Sequence, residues 1–222
     1  MSDAVDRGIT VTEMAPMVQA IDVSPETTAA FVGRTLRGPL NEPVLVRDMG
    51  EFRRCFGDVW SRSSLGPAVQ QFFEHGGQRL FIVRVSNNAR GALLCLPANG
   101  AALVLRAVEP GSTEFIRAAV DLDSLDADED ERFNLTLQRM DPATGHVIEQ
   151  ECYRRVSHRE DSDAFVGDAL LNSSLARVER PYPCYRPDPT QGLFSTDADV
   201  YIEQAQEGSD GDELSDYDLI GS

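Results

Sequence analysis

Residues 27–90 constrain the fold most, because short apolar runs there bracket helix-like stretches in a fixed order. TTAAFVGR (27–34) is small, apolar and β-prone, and residues 29–34 form a candidate buried strand that stops at Gly33 and Arg34. A Gly38-Pro39 turn follows, then a weaker strand candidate, PVLV (43–46). Asp48 can cap a short helix in which Phe52 and Phe56 share a face at i, i+4. Gly66-Pro67 opens a second helix, with Pro at a first-turn position where its missing N–H costs nothing. Val69, Phe72 and Phe73 give that helix an apolar face, and Gly76-Gly77 stops it. LFIVRV (80–85) is the clearest strand in the chain, and its near-continuous apolar character predicts a sheet covered on both faces. Strand, helix, strand in this order implies a right-handed crossover and parallel pairing.

Upstream, residues 1–26 read as an extended arm. Residues 9–13 (ITVTE) alternate apolar and polar, as a half-buried strand does, with no tight-turn partner behind them. A lone terminal strand needs a sheet to join, in its own chain or in a neighbour's. Downstream, residues 91–180 read as a second, β-rich module. Runs at 101–108 and 115–122 flank a Glu109-Pro110-Gly111 turn, and FNLTLQRM (133–140), the turn DPATG (141–145) and residues 146–156 read as a hairpin. Residues 162–171 are a helix candidate with Phe165, Val166, Ala169 and Leu170 on one face. Residues 181–222 read as a Pro-rich and then acidic linker or tail. Residues 197–218 carry nine acids and no base, which by composition gives a flexible, solvated segment. The fold class expected is therefore α+β or mixed α/β: a small strand–helix–strand domain (27–90), a β-rich inserted domain (91–180), an arm (1–26) and an acidic C-terminal segment.

Charge narrows the function classes. The net charge is −17; residues 1–120 hold 12 Arg and 12 acids, whereas residues 121–222 hold 8 Arg and 25 acids, and the chain has no lysine. That balance argues against non-specific nucleic-acid binding, which needs a basic face. No apolar run approaches the roughly 20 residues of a membrane span, and the acidic N-terminus is unlike a signal peptide. The expectation is a soluble, non-secreted protein with no nucleic-acid or membrane partner. Cys55, Cys95, Cys152 and Cys184 form no C-x-x-C pair and read as free thiols rather than a zinc site or a disulfide scaffold.

Candidate chemistry is sparse. The acids at 121, 123, 126 and 128–131 invite a calcium reading, but an EF-hand loop counted from Asp121 places Leu125 and Asp126 where an acid and a glycine are needed. A solvated inter-strand loop fits better. His75, His146 and His158 lie in no catalytic signature, and no phosphate loop or G-x-G-x-x-G is present. Trp60 and the Phe72-Phe73 pair read as core or interface packing. No catalytic residue, cofactor or metal is expected, and the chain is not expected to be an enzyme.

Taken together, these strings resemble contractile phage tail sheath proteins and the sheath subunits of phage-tail-like injection systems. TTAAFVGR (27–34) is similar to that family's TSVAAFVGR, and RGPLNEP (37–43) to its RGPxNEP. FRRCFGDVW (52–60) is similar to FxxxFGxxW, and residues 65–85 to the helix–GG–strand unit AVxxFFxNGGxxxYVVRV. FNL (133–135) and residues 151–156 resemble the family's inserted β domain, and LSDYDLIG (214–221) the segment before its second half. The resemblance implies structural roles for Phe31, Gly33, Arg34, Gly38, Pro39, Phe56, Gly57, Gly76 and Gly77. It implies an inter-subunit arm carrying Ile9, Val11, Val18, Ile21 and Val23, donated to a neighbour's sheet. It further implies a homo-oligomer (a helical sheath or rings) around an inner tail tube, with baseplate or terminator proteins as partners. Assembly would take place in the bacterial cytoplasm, and the product would be a virion tail or phage-like particle. Three departures stand out: RGI (7–9) where arms often open Pro-Gly, EPGSTEF (109–115) where the family has a longer Asn-Pro-Gly-x-Trp-Gly-Asn stretch, and an end at residue 222 where the family enters its C-terminal domain. The chain is thus expected to be the N-terminal portion of a sheath protein. The alternatives are a shortened sheath-like accessory or capping component, or an acidic-loop metal-binding or enzymatic module.

Overall fold

The computed structural model describes residues 28–190 and 200–220. The expected arm residues Ile9, Val11, Val18, Ile21 and Val23 lie outside them. The first half is a three-stranded sheet with two helices on one face. β1 (Thr28–Gly33), β2 (Pro43–Val46) and β3 (Arg79–Arg84) are ordered β1-β3-β2. β1 runs parallel to β3, with Ala29 opposite Leu80 and Phe31 opposite Ile82, so the parallel pairing expected from the strand–helix–strand order is present. β2 runs antiparallel to β3.

Between β2 and β3 come α1 (Met49–Phe56) and α2 (Leu65–Glu74). Asp48 caps α1 as expected: its carboxylate accepts from the Glu51 N–H at 2.7 Å, while Glu51 reaches back to the Arg47 N–H at 2.9 Å. Phe52 and Phe56 stack at 5.7 Å between ring centres inside a core of Val46, Leu65, Val69, Leu80 and Ile82. Gly33 lets α2 pack closely on β1, because a Cβ there would fall 2.9 Å from a Leu65 methyl and 3.3 Å from its Cβ. At the end of α1, Gly57 takes φ 85°, the left-handed region open to glycine.

The second half is β-rich. β4 (Leu93–Ala98), β5 (Ala101–Ala107) and β9 (Ala176–Val178) form one antiparallel sheet; β6 (Phe115–Asp121), β7 (Arg132–Met140), β8 (Val147–Ser157) and β10 (Ile202–Glu203) form another, ordered β10-β6-β7-β8. Their inward positions share one core, with Leu94, Leu96, Leu103 and Leu105 against Ile116, Val120, Phe133, Leu135 and Leu137. The β7–β8 hairpin is the one expected. The runs flanking the 109–111 turn, by contrast, are β5 and β6, which join different sheets.

Three expectations need correction. The helix expected over 162–171 is only α3 (Val166–Ala169) followed by a 3-10 turn (Leu170–Asn172). Phe165 forms a parallel bridge with Ser157, the Ser157 N–H donates to the Ala164 carbonyl at 2.7 Å, and residues 160–164 are turns and a bend, so no helix begins before residue 166. The small sheet is not covered on both faces: Leu80 and Ile82 point into the helix-side core, whereas Phe81 and Val83 are only half-buried. Finally, residues 206–213 do not behave as a solvated tail. They form a strap along residues 87–93, with Arg90 and Ser209 exchanging backbone bonds at 3.0 and 2.7 Å and the Asp212 N–H on the Asn87 carbonyl at 2.8 Å. The strap lies this close because Gly208 and Gly211 have no side chain: a Cβ at Gly211 would fall 2.0 Å from the Asn87 carbonyl oxygen. A short helix, α4 (Asp216–Ile220), follows.

Candidate functional site

Of the residues singled out by the sequence strings, Arg34, Gly38, Pro39, Phe56 and Gly57 gather at a charged seam between the halves, whereas Phe31, Gly76 and Gly77 lie with α2; a second place of note is the exposed face of the small sheet. At the seam, Arg34 follows β1 directly. Its guanidinium lies over the Trp60 ring, 4.7 Å from the centroid, and donates to the carbonyls of Asp210 and Gly211 in the strap at 3.3 Å each. Arg37 crosses to the end of α1, donating to the Arg53 and Arg54 carbonyls at 3.2 and 3.0 Å. The Phe56 carbonyl accepts the Arg37 N–H, and Leu36 packs where Gly57 lacks a Cβ. Gly38 takes φ 105° and offers both of its backbone groups to the seam, while Pro39 lies beside it at the mouth of a crevice. Phe31 packs edge-on against Phe72 at 5.8 Å. Gly76 and Gly77 end α2, the Gly77 N–H closing on the Phe72 carbonyl at 2.9 Å.

The centre of the seam is a set of charges that sequence reasoning passed over. Arg84, at the end of β3 and 2% exposed, donates to the Gly38 carbonyl at 2.7 Å and to the Pro110 carbonyl at 2.6 Å. Burial holds its guanidinium below its ordinary pKa, opposed by Glu109, Glu114 and Asp210. Glu109 accepts from the Gly38 N–H and from Arg139, at 3.1 Å each. Arg139 also pairs with Glu149 at 2.6 Å and approaches Glu114 at 3.8 Å. Burial works against the charge on Arg139, but the surrounding carboxylates of Glu109, Glu114 and Glu149 raise its pKa overall. Glu114 is 3% exposed; burial first, and then the neighbouring Glu109 charge, push its carboxyl up to about 7.

One signal for these residues was present in the sequence. Arg84 has the same strand parity as Leu80 and Ile82, and Glu114 the same parity as Ile116 and Ala118. A charge at an inward-facing position implies a buried partner.

The second place is the face of the small sheet turned away from its helices. Strand register sets Ala30, Phe81 and Leu45 in one cross-strand row and Val32, Val83 and Pro43 in the next. All six are apolar, none is fully buried, and Val32 is 51% exposed. β1 is also a terminal strand of its sheet, so among the described residues its outer edge is unpaired.

The residues weighed for chemistry have structural surroundings. Asp121 accepts from Asn134 at 2.6 Å and from the Asp123 N–H at 3.0 Å, organising the acidic loop. Among the described residues no group of three His, Cys, Asp or Glu side chains is placed to hold a metal ion. His75 meets the Gln71 carbonyl at 2.7 Å, and His158 lies between the Glu131 and Cys184 carbonyls. The four cysteines are free. Among the described residues no helix is long and apolar enough to cross a membrane.

No protein-family model matches the chain, and no curated protein matches it. Among solved structures it is similar to the sheath tail protein Lin1278 from Listeria innocua, at 10% identity and a TM-score of 0.48, over 89% of this chain and 37% of that one. It is also similar to the sheath tail protein DSY3957 from Desulfitobacterium hafniense, at 11% identity and a TM-score of 0.45, over 96% of this chain and 41% of that one. The chain therefore spans about two fifths of the length of the solved chains it matches.

Proposed function

We propose that this chain is an assembly subunit of a contractile tail sheath, or the N-terminal portion of one. The observation that carries the reading is the apolar outer face of the small sheet, contiguous with the edge of β1 that is unpaired among the described residues. Two aligned rows of apolar side chains beside free backbone groups suit a protein partner that adds a strand or packs a second layer. The sequence strings that resemble the sheath family lie on the elements framing this face, with TTAAFVGR on β1 and the helix–GG–strand unit on α2 and β3. In this reading the arm bearing Ile9, Val11, Val18, Ile21 and Val23 links one subunit to the next. The inner tube and the baseplate or terminator proteins are further partners within a tail particle. A shortened accessory or capping component would present the same face.

The test is assembly. The 222-residue chain, alone and co-expressed with the tube and sheath genes of its source, is examined by sedimentation and negative-stain microscopy. Tubes support the sheath reading, and isolated rings the capping one. A chain that stays monomeric alone and fails to enter particles in the co-expression overturns both.

A further inference from the structure

The seam holds more buried charge than is needed to join two halves of a chain, and its carboxylates are not equivalent. Glu109 meets the Gly38 N–H and Arg139 through one and the same carboxylate oxygen, Oε2. Glu114 is the more deeply buried; it feels the neighbouring Glu109 charge and has Arg139 at 3.8 Å. The charged groups around it come from every neighbouring element. Arg37 belongs to the loop after β1, Arg84 to β3, Glu109 to the turn after β5, and Arg139 to β7, while Glu149 on β8 and Asp210 in the strap complete the set through Arg139 and Arg84.

We propose that Glu114 is a proton-operated latch on the seam between the small sheet and the β-rich half. When Glu114 is protonated, its O–H donates to the Glu109 carboxylate. Glu109 then keeps its acceptor sites for Gly38 on one half and Arg139 on the other. The three guanidinium groups of Arg37, Arg84 and Arg139 face three carboxylates, those of Glu109, Glu149 and Asp210. When the proton leaves, two adjacent carboxylates repel each other and compete for Arg139, and a fourth negative charge is left in a site with little water. Either Glu109 withdraws from Gly38 or water enters, and both loosen the seam. A crevice of about 420 Å³ bordered by Arg37, Arg54, Glu109 and Arg139 opens beside the cluster and gives protons a route to it. The raised carboxyl of Glu114, at about 7, places the change near neutral pH. The seam is tightest in acid, loosens as pH rises from the ordinary glutamate range to about 7, and changes no further above it.

The experiment is amide hydrogen exchange on the full chain at about pH 5 and about pH 8, with protection factors corrected for intrinsic rates. The Gly38 amide reports the latch and the Leu94 amide the β-rich core. In the wild-type chain the protection of Gly38 is expected to fall by up to about a hundredfold on going to the higher pH, while that of Leu94 holds. Glu114→Gln, which keeps a donor and cannot ionise, is expected to make the Gly38 protection flat. A flat wild-type profile, or a Glu114→Gln chain that keeps the wild-type pH dependence, overturns the proposal. Should that variant not fold, carbon-13 titration of the Glu114 carboxyl in the wild-type chain decides: an inflection near neutrality supports the latch, and one in the ordinary glutamate range sinks it.

Discussion

The Arg84 guanidinium donates to the Pro110 carbonyl at 2.6 Å, joining the last residue of the small sheet to the turn that opens the second half of the β-rich fold. Its other arm holds the Gly38 carbonyl at 2.7 Å, so a single side chain ties three segments of the chain together. A planar guanidinium can span two carbonyls in this way; an ammonium is a point charge on a flexible stem.

Replacing Arg84 with Ala should therefore cost about 3 kcal/mol of stability, since two buried carbonyls and the surrounding carboxylates lose their donor. Arg84→Lys should recover less than half of that loss. Urea denaturation of the three chains checks both expectations: an Ala variant as stable as wild type would mean that the seam is held elsewhere.

The strap is tested at Gly211. Its φ of 74° and the 2.0 Å approach of a built Cβ to the Asn87 carbonyl leave no room for a side chain. Gly211→Ala should release residues 206–213 while leaving the β-rich core folded. Limited proteolysis should then cut within the strap, and the Arg90 amide, which now donates to Ser209, should lose protection.

Val32 separates assembly from folding. Because its side chain is half exposed on the outer face, Val32→Asp should change chain stability by less than about 1 kcal/mol. It should nevertheless abolish self-association or entry into particles, because it places a charge at the edge-strand end of an apolar row. Thermal melts and sedimentation, run side by side, distinguish the two effects.

Acid stability has a separate source at Glu151. Burial raises its pKa, but hydrogen bonds from Ser173, Ser174 and Tyr153 outweigh that and hold it below the usual glutamate value. A depressed carboxyl contributes stability above its unfolded value and loses it as pH falls through the folded one, the opposite sense to Glu114. Glu151→Gln should therefore lower the melting temperature at neutral pH and make little difference in strong acid. A uniform drop at all pH values would assign Glu151 a packing role only.

Much of the first half was legible in the sequence because its signals are local. The Asp48 cap, the Phe52/Phe56 face and the Gly76-Gly77 stop each follow from neighbours a few residues apart, the β1–β3 pairing follows from the strand–helix–strand order they set, and α1, α2 and β3 stand where those signals put them. The β7–β8 hairpin was legible for the same reason: a clean alternation on either side of a DPATG turn. The helix over 162–171 was overread, because its apolar spacing carried no sign of the Ser157–Phe165 bridge that keeps residue 165 extended.

The sequence by itself determined which segments become strands and helices, since apolar period, capping residues and glycine stops act over a single turn or strand. Tertiary structure alone decided where the charges and the acidic segment go. Composition marks residues 206–213 as solvated, yet two glycines let the backbone approach residues 87–93 closely enough to bond. Glu109 and Glu114 lie five residues apart, but Arg139 is 25 residues further on, and no local pattern joins it to them. They meet because β5 and β6 part into different sheets at the 109–111 turn, and β7 then returns Arg139 to the same point. The apolar run of β3 likewise predicts two covered faces, but among the described residues helices pack on only one, and Phe81 and Val83 on the other stay half-buried.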